Sequence, residues 1–198
     1  SYLPYAAASG GLSLQNLIAE MWENQKYMLS YHSGVTDTHP YSSRWYQWLF
    51  DARPILYYMD NSVSGVTTRF AAFVNPVVCW GGLLAVLACG FHGIVRRSAR
   101  ALFIFIGYLA QLVPWFFIGR ITFAYHYFPS VLFLVLALCY VFHTLAEREE
   151  MVNWKPAMFA VTGGAVGLYA LFYPVLVGIQ IPTWYSNNVL GWFPSWPF

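Results

Sequence analysis

ALFIFIGYLAQLVPWFFIGRITFAYHYFPSVLFLVLALCYVFHTLA, residues 101 to 146, is the stretch on which the fold turns. Two apolar runs, Ala101 to Ile118 and Ser130 to Ala146, contain no Asp, Glu, Lys or Arg. Each approaches the roughly 20 residues that a membrane-spanning helix needs. Between them, Gly119 to Pro129 sets Arg120, Tyr125, His126 and Tyr127 where a span meets water. Arginine offers planar donors suited to phosphate, histidine donates or titrates near neutrality, and tyrosine prefers the headgroup level. Such a stretch serves either as a seat for a lipid phosphate or as an aromatic belt with one snorkelling arginine.

Two further apolar runs, Val74 to Val95 and Ala157 to Gly178, complete a set of four. The 198 residues are 59% hydrophobic and 9% charged, with a mean hydropathy of +0.50. An ordinary soluble domain carries about 25% charged residues, so this chain cannot cover its surface with charge. The pattern predicts an all-α membrane protein built on a four-helix transmembrane bundle. A net charge of +2 with scattered basic residues gives no footprint for nucleic acid. Arg96, Arg97 and Arg100 cluster between the first two spans, which by the positive-inside rule places that turn in the cytoplasm. By alternation, the segment before the first span, the Gly119 to Pro129 turn and the C-terminal tail lie outside, and Glu147 to Lys155 lies inside. Pro114, Pro129 and Pro174 predict kinks at span ends, and Gly81, Gly82, Gly163, Gly164 and Gly167 offer small surfaces for close helix contact. Cys79, Cys89 and Cys139 fall in apolar runs without metal-ligand spacing and read as buried thiols.

Four regions follow. Residues 1–30 are expected to hold the end of a preceding span and an amphipathic helix over Leu12 to Leu29 with Ser13 as N-cap, suited to the bilayer surface or to a neighbouring segment. Ser1 to Tyr5 lack the charged start of a signal peptide, and the chain reads as cut from something longer. Residues 31–70 are too interrupted to span. Their aromatic content, including Trp45, Tyr46, Trp48, Tyr57 and Tyr58, predicts an ordered external loop. The spans occupy 71–178. The tail, 179–198, carries Trp184, Trp192 and Trp196 and is expected along the outer interface.

On this topology His39, Arg44 and Arg53 of the loop share a side with Arg120, Tyr125, His126 and Tyr127. Fixed donors near the interface with aromatic walls suit a sugar joined to a lipid phosphate. Arg44 and Arg53 serve equally as loop anchors on backbone carbonyls or as partners of Asp51 and Asp60, and His39 as a solvated loop residue. His32, Asp37 and His39 match no zinc spacing, so neither a metal nor a cofactor is expected. No GxSxG or glycine-rich phosphate loop occurs. A non-catalytic membrane module or transporter subunit is the alternative class. A transporter places ionisable groups inside its spans, and here only Gln111 comes close.

One set of segments is Tyr31-His32-Ser33-Gly34, His39-Pro40-Tyr41-Ser42-Ser43-Arg44-Trp45-Tyr46-Gln47-Trp48, Arg53-Pro54-Ile55, Tyr57-Tyr58, Asn75-Pro76 and Trp80-Gly81-Gly82. Gly107-Tyr108-Leu109-Ala110-Gln111, Pro114-Trp115, Arg120-Ile121-Thr122-Phe123, Tyr125-His126-Tyr127-Phe128-Pro129 and Trp192-Phe193-Pro194-Ser195-Trp196 follow. In this order they resemble the C-terminal four-helix region of bacterial protein O-mannosyltransferases, which have a GT-C glycosyltransferase fold; a GT-C enzyme for another sugar or acceptor is a further alternative. The resemblance implies an enzyme that moves mannose, with inversion, from a polyprenyl-phosphate donor to Ser or Thr of proteins in the bacterial plasma membrane. It also implies that the acidic base lies in an upstream external loop, so no catalytic residue is expected within this chain. The implied partners are the donor lipid, the acceptor protein, the bilayer and the N-terminal remainder of the enzyme. Arg120 and His126 are the leading phosphate contacts, with Tyr125 and Tyr127 shaping the seat. His39, Arg44 and Arg53 hold the loop over the acceptor or bind phosphate.

Overall fold

The structure is a computed structural model that describes residues 3–9, 11–34, 38–147 and 153–198. The chain divides into two units, Ser1–Thr38 with Gly119–Ile121, and His39–Ile118 with Thr122–Phe198. In the first unit, α1 (Leu3–Ser9) precedes α2 (Leu14–Ser33). The Ser13 side chain accepts from Asn16 N–H at 3.1 Å, satisfying one of the orphan donors at the start of α2. The apolar stripe of α2 is exposed at Leu14, Ile18, Trp22 and Leu29. His32 lies in its last turn rather than in a loop. Asp37 is outside the described residues, and among those described no group of His, Cys, Asp and Glu is placed to hold a metal ion.

The second unit opens with the short α3 (Trp45–Trp48), then β1 (Ile55–Asp60) and β2 (Val66–Ala72). A π-helical turn over Val77–Gly81 leads into α4 (Gly82–Arg96), followed by α5 (Ala99–Leu112), which tightens into a 3-10 turn at Val113–Phe117. A second 3-10 turn, Ala124–Tyr127, starts α6 (Phe128–Ala146), and α7 (Lys155–Val177) precedes β3 (Gln180–Pro182). Four helical stretches are long and apolar enough to cross a membrane: Val77–Arg96, Ala99–Phe117, Ala124–Ala146 and Lys155–Val177.

Helices α4, α5 and α6 pack on one another around Val86, Cys89, Ile104, Tyr108, Leu134 and Ala137. Their contacts are set by single glycines facing large residues. A Cβ on Gly82 would stand 2.6 Å from Leu134 Cβ, one on Gly90 2.9 Å from the Phe105 ring, and one on Gly93 2.8 Å from Leu102. Gly107 meets the Phe133 ring. Gly163 and Gly167, expected to mediate helix contact, have nothing within 4 Å of such a Cβ. Cys79 and Cys89 are buried as expected, whereas Cys139 is exposed on α6.

Helix α7 packs instead on the sheet and the π-helical turn. Strands were not anticipated in the 31–70 segment, where an ordered loop was expected. The sheet's order is β1-β2-β3, antiparallel throughout, with Leu56 opposite Ala71, Thr67 opposite Ile181, and an irregularity between Leu56 and Tyr58. Leu56, Ala71 and Ile181 close a second core with Phe172, Val175, Trp196 and Phe198. The end of the tail is therefore core, and Trp196 is only 6% exposed, while Trp184 and Trp192 stay exposed. Asn75 couples the two packing groups: its amide nitrogen donates to Ala165 O on α7 at 2.8 Å, and its side-chain oxygen accepts from Val77 N–H at the head of the first span.

Candidate functional site

The loop from His39 to Arg53 is fastened to the Thr122–Tyr127 turn through paired hydrogen bonds. Ser43 N–H donates to Thr122 O at 2.8 Å, and Thr122 Oγ1 donates to Ser43 O at 2.6 Å. Both residues are buried, where an unpaired polar group costs about 1–3 kcal/mol, so each depends on the other. Within the loop, Gln47 closes α3 from below by accepting from Arg44 N–H at 2.8 Å, and Trp48 Nε1 donates to Ser43 Oγ at 2.8 Å. Trp48 thereby carries the docked loop into the helix core.

His126 stands at the centre of this junction. Its ring centroid lies 4.4 Å from those of Trp115 and Tyr125, and 6.1 Å from Trp48, with which it is nearly parallel. Phe123 stacks on Tyr125 at 5.4 Å and meets the edge of His39 at 5.2 Å. Trp45 stacks on Phe116 at 3.9 Å, closing the aromatic wall on the side of α5. The Nδ1 atom of His126 is 3.1 Å from Phe123 N and 3.0 Å from Phe123 O. A neutral ring accepts there from the amide, and a protonated ring donates to the carbonyl, so this anchor survives a change of charge.

The other expected site residues separate. Tyr125 is 40% exposed, whereas Tyr127 is 1% exposed and bonds Tyr108 hydroxyl to hydroxyl at 2.7 Å. Tyr127 is thus a core residue and does not shape the surface. Arg53 donates to Pro40 O at 2.6 Å, acting as a clasp across the loop. Arg44 is exposed, and neither arginine pairs with Asp51 or Asp60 among the described residues. His39 is exposed, with Nδ1 accepting from Tyr41 N–H at 3.2 Å. Arg120 is half-buried and belongs to the first unit. Gln111, the polar residue within the spans, is exposed.

Residues not singled out beforehand complete the site's support. Tyr57 on β1 packs its ring 5.5 Å from that of Phe70, and its pKa is raised by partial burial and by the charge of Tyr125. Asp51 is 4% exposed and takes a left-handed backbone conformation, φ 51°. Its Oδ1 accepts from Val74 N–H at 3.4 Å, Oδ2 has no hydrogen-bond partner among the described residues, and burial pushes its pKa up to about 8. Around it, Trp196 Nε1 donates to Asp51 O at 2.9 Å, Trp80 Nε1 to Phe50 O at 3.1 Å, and Ser195 Oγ to Ala52 O. The recurrence of Trp80 and Trp196 in the quoted motifs was the one available signal for this network.

A protein-family comparison matches residues 17–196 to the C-terminal four TMM region of protein-O-mannosyltransferase. A polyprenol-phosphate-mannose–protein mannosyltransferase of Mycobacterium tuberculosis is 26% identical over 92% of this chain and 38% of its own length. The dolichyl-phosphate-mannose–protein mannosyltransferase 6 of Saccharomyces cerevisiae is 31% identical over 42% of this chain and 11% of its own length. The chain therefore spans less than half the length of these relatives. Among solved structures, a chain of the S. cerevisiae protein O-mannosyltransferase Pmt1-Pmt2 complex bound to the sugar donor superposes with a TM-score of 0.68, covering 94% of this chain and 27% of that one at 19% identity. That likeness shows a shared fold. With the family match across nearly its whole length, this chain belongs to the protein O-mannosyltransferases as their C-terminal four-helix region.

Proposed function

We propose that the intact protein containing this chain transfers mannose from a polyprenyl-phosphate donor to Ser or Thr hydroxyls of proteins, and that this chain helps hold the donor's phosphate end. The acceptor oxygen bonds to the sugar's anomeric carbon as the bond to the phosphate oxygen breaks, which inverts that centre. The hydroxyl proton passes to an acidic base upstream of this chain, and polyprenyl phosphate leaves. Positive charge grows on the sugar and negative charge on the departing phosphate, so fixed donors at the phosphate stabilise the transition state. His126 fills that role, and Arg120, carried by the first unit, is a second candidate for it. Tyr125 and the indoles of Trp48 and Trp115 set the position of the imidazole, and His39, Arg44 and Arg53 shape the loop above it. The segment 31–70, the Gly119 to Pro129 turn and the tail face the outside of a bacterial plasma membrane.

The observation that supports this reading best is the Ser43–Thr122 docking, which gathers Trp48, Trp115, Tyr125 and, through Phe123, His39 around one histidine. In the intact protein, Arg120→Ala or His126→Ala should lower mannosyl transfer to an acceptor peptide at least about tenfold, as expected for loss of one charge-stabilising contact, while membrane insertion is retained. Unchanged transfer by both variants would remove the phosphate seat.

A further inference from the structure

At the end of the bundle away from His126, the C-terminal ends of α4 and α6 and the start of α5 enclose a polar cleft of about 340 Å³. His92, Ser98, Arg100, Tyr140 and His143 line it, with Glu147. A hydrogen-bonded chain runs through it: His92 Nδ1 lies 2.9 Å from Tyr140 Oη, which lies 2.9 Å from Ser98 Oγ. Ser98 Oγ in turn accepts from Ala101 N–H at the head of the 14-residue α5. Glu147 lies 3.6 Å from His143 Nδ1, so its carboxylate has a matching cation whenever that imidazole is protonated. Arg96, Arg97 and Arg100 crowd the connecting turn, and among the described residues none of them is ion-paired.

A second, apolar groove of about 210 Å³ shares His92, Tyr140 and Thr144 with the polar cleft and continues along α4 and α6 past Ala88, Phe91, Val141 and Leu145. A water-soluble anion has no use for such a groove, and a neutral lipid has no use for the cationic end. One molecule that satisfies both has an anionic phosphate head and an acyl chain. We propose that this composite cleft binds an anionic phospholipid, with its phosphate at Arg100, Ser98 and the first turn of α5 and one acyl chain along Phe91, Val141 and Leu145. This site is separate from the donor seat: the two lie at opposite ends of α5 and α6.

The test is native mass spectrometry of the intact protein in detergent, titrated with phosphatidylglycerol or phosphatidylcholine of the same chain composition. Phosphatidylglycerol should bind more tightly, and Arg100→Gln should weaken it about fivefold, the size expected for one basic side chain at a lipid surface. Ala88→Phe, at an exposed position of the groove, should weaken it comparably by blocking the acyl path. Arg96→Gln with Arg97→Gln, on the same turn but outside the cleft lining, removes no phosphate contact and should weaken it less than Arg100→Gln does. The proposal is overturned by equal binding of the two lipids, by an effect of the Arg96/Arg97 pair as large as that of Arg100→Gln, or by unchanged affinity in Ala88→Phe. Melting without added lipid checks the fold of each variant, and Arg100 is exposed, so its replacement leaves the core intact.

Discussion

Asp51 is a carboxylic acid held in a site that has no place for its charge, and Asp51→Asn tests that directly. The side chain is 4% exposed, receives one long hydrogen bond from the Val74 amide, and has no cation beside it among the described residues. Burial raises its pKa to about 8, from an ordinary value of 3.8, against the smaller pull of the Val74 N–H. Between those two values the unfolded chain has released the proton while the folded chain retains it. The folded state therefore loses stability as pH rises, by roughly 1.4 kcal/mol per pH unit, with nothing lost below about pH 4 and no further loss above about pH 8. Across the whole window this amounts to roughly 6 kcal/mol, and at pH 7 to roughly 4 kcal/mol.

Asparagine keeps the acceptor for Val74 and tolerates the left-handed conformation at φ 51°, but it puts an unpaired NH₂ where Oδ2 stood. That unsatisfied donor costs about 1–3 kcal/mol at every pH. The wild-type and variant stability curves should consequently cross between about pH 4.5 and pH 6, an interval fixed by setting that cost against the linkage slope. The variant should melt higher at about pH 8 and lower at about pH 4. Thermal unfolding of the intact protein in detergent, read as the difference between wild type and variant in each buffer, cancels every contribution the two proteins share. Parallel curves with no crossing would show that Asp51 is ionised in the fold, and the account of its site would be wrong.

Two further outcomes concern packing. Gly82→Ala should destabilise by about 1–3 kcal/mol, because the new methyl meets Leu134 Cβ and Cα rather than the flexible end of a side chain, and melting of the purified protein measures it. Tyr127→Phe should lower stability by about 1–3 kcal/mol by leaving the Tyr108 hydroxyl buried and unpaired, while adding Tyr108→Phe should recover most of that loss; a double variant no better than the single one would contradict the pairing.

The spans were legible because apolar runs of this length have few other uses, and the Ser13 cap was legible because its hydroxyl sits one residue before a helical stripe. The sheet was not, although Ile55–Asp60 and Val66–Ala72 carry β-branched and aromatic residues. Its strands do not alternate cleanly: β1 buries Ile55 and Leu56 in succession and then exposes Tyr57 to Met59, with the ladder irregular beside Tyr57. Strand β3 is three residues long and pairs with a strand more than a hundred residues earlier, a distance at which no local pattern reports. The triplet Tyr125-His126-Tyr127 looked like one surface, yet a 3-10 turn advances each side chain by about a third of a revolution, sending Tyr125 outward and Tyr127 into the core. Of the helix glycines, Gly82 is a contact as its small size suggests, while Gly163 and Gly167 are not, for a related reason. Gly163 and Gly167 have the familiar four-residue spacing, but what makes a glycine a contact is the large residue facing it, as Leu134 faces Gly82, and spacing on one helix carries no information about the other.

The tryptophans show how composition and site are connected. Indoles flanking apolar runs read as an interfacial belt, since the ring prefers the boundary between hydrocarbon and water. In the fold, Trp48 donates to Ser43 Oγ, Trp80 to Phe50 O and Trp196 to Asp51 O, so three N–H groups fasten one stretch of loop. Phenylalanine would supply similar apolar area at each position but would leave the carbonyls of Phe50 and Asp51 without these donors. The loop around Asp51 turns through a left-handed residue; its Asp51 and Ala52 amides bond within the loop, while the carbonyls of Phe50, Asp51 and Ala52 take donors from elsewhere in the chain. A side chain that fills a core and carries one directed donor meets both needs. Trp48 both pins the loop and stands against the imidazole, so the buttressing and pinning indoles form one support, and displacing Trp80 or Trp196 should shift the His126 cluster without removing any group from it.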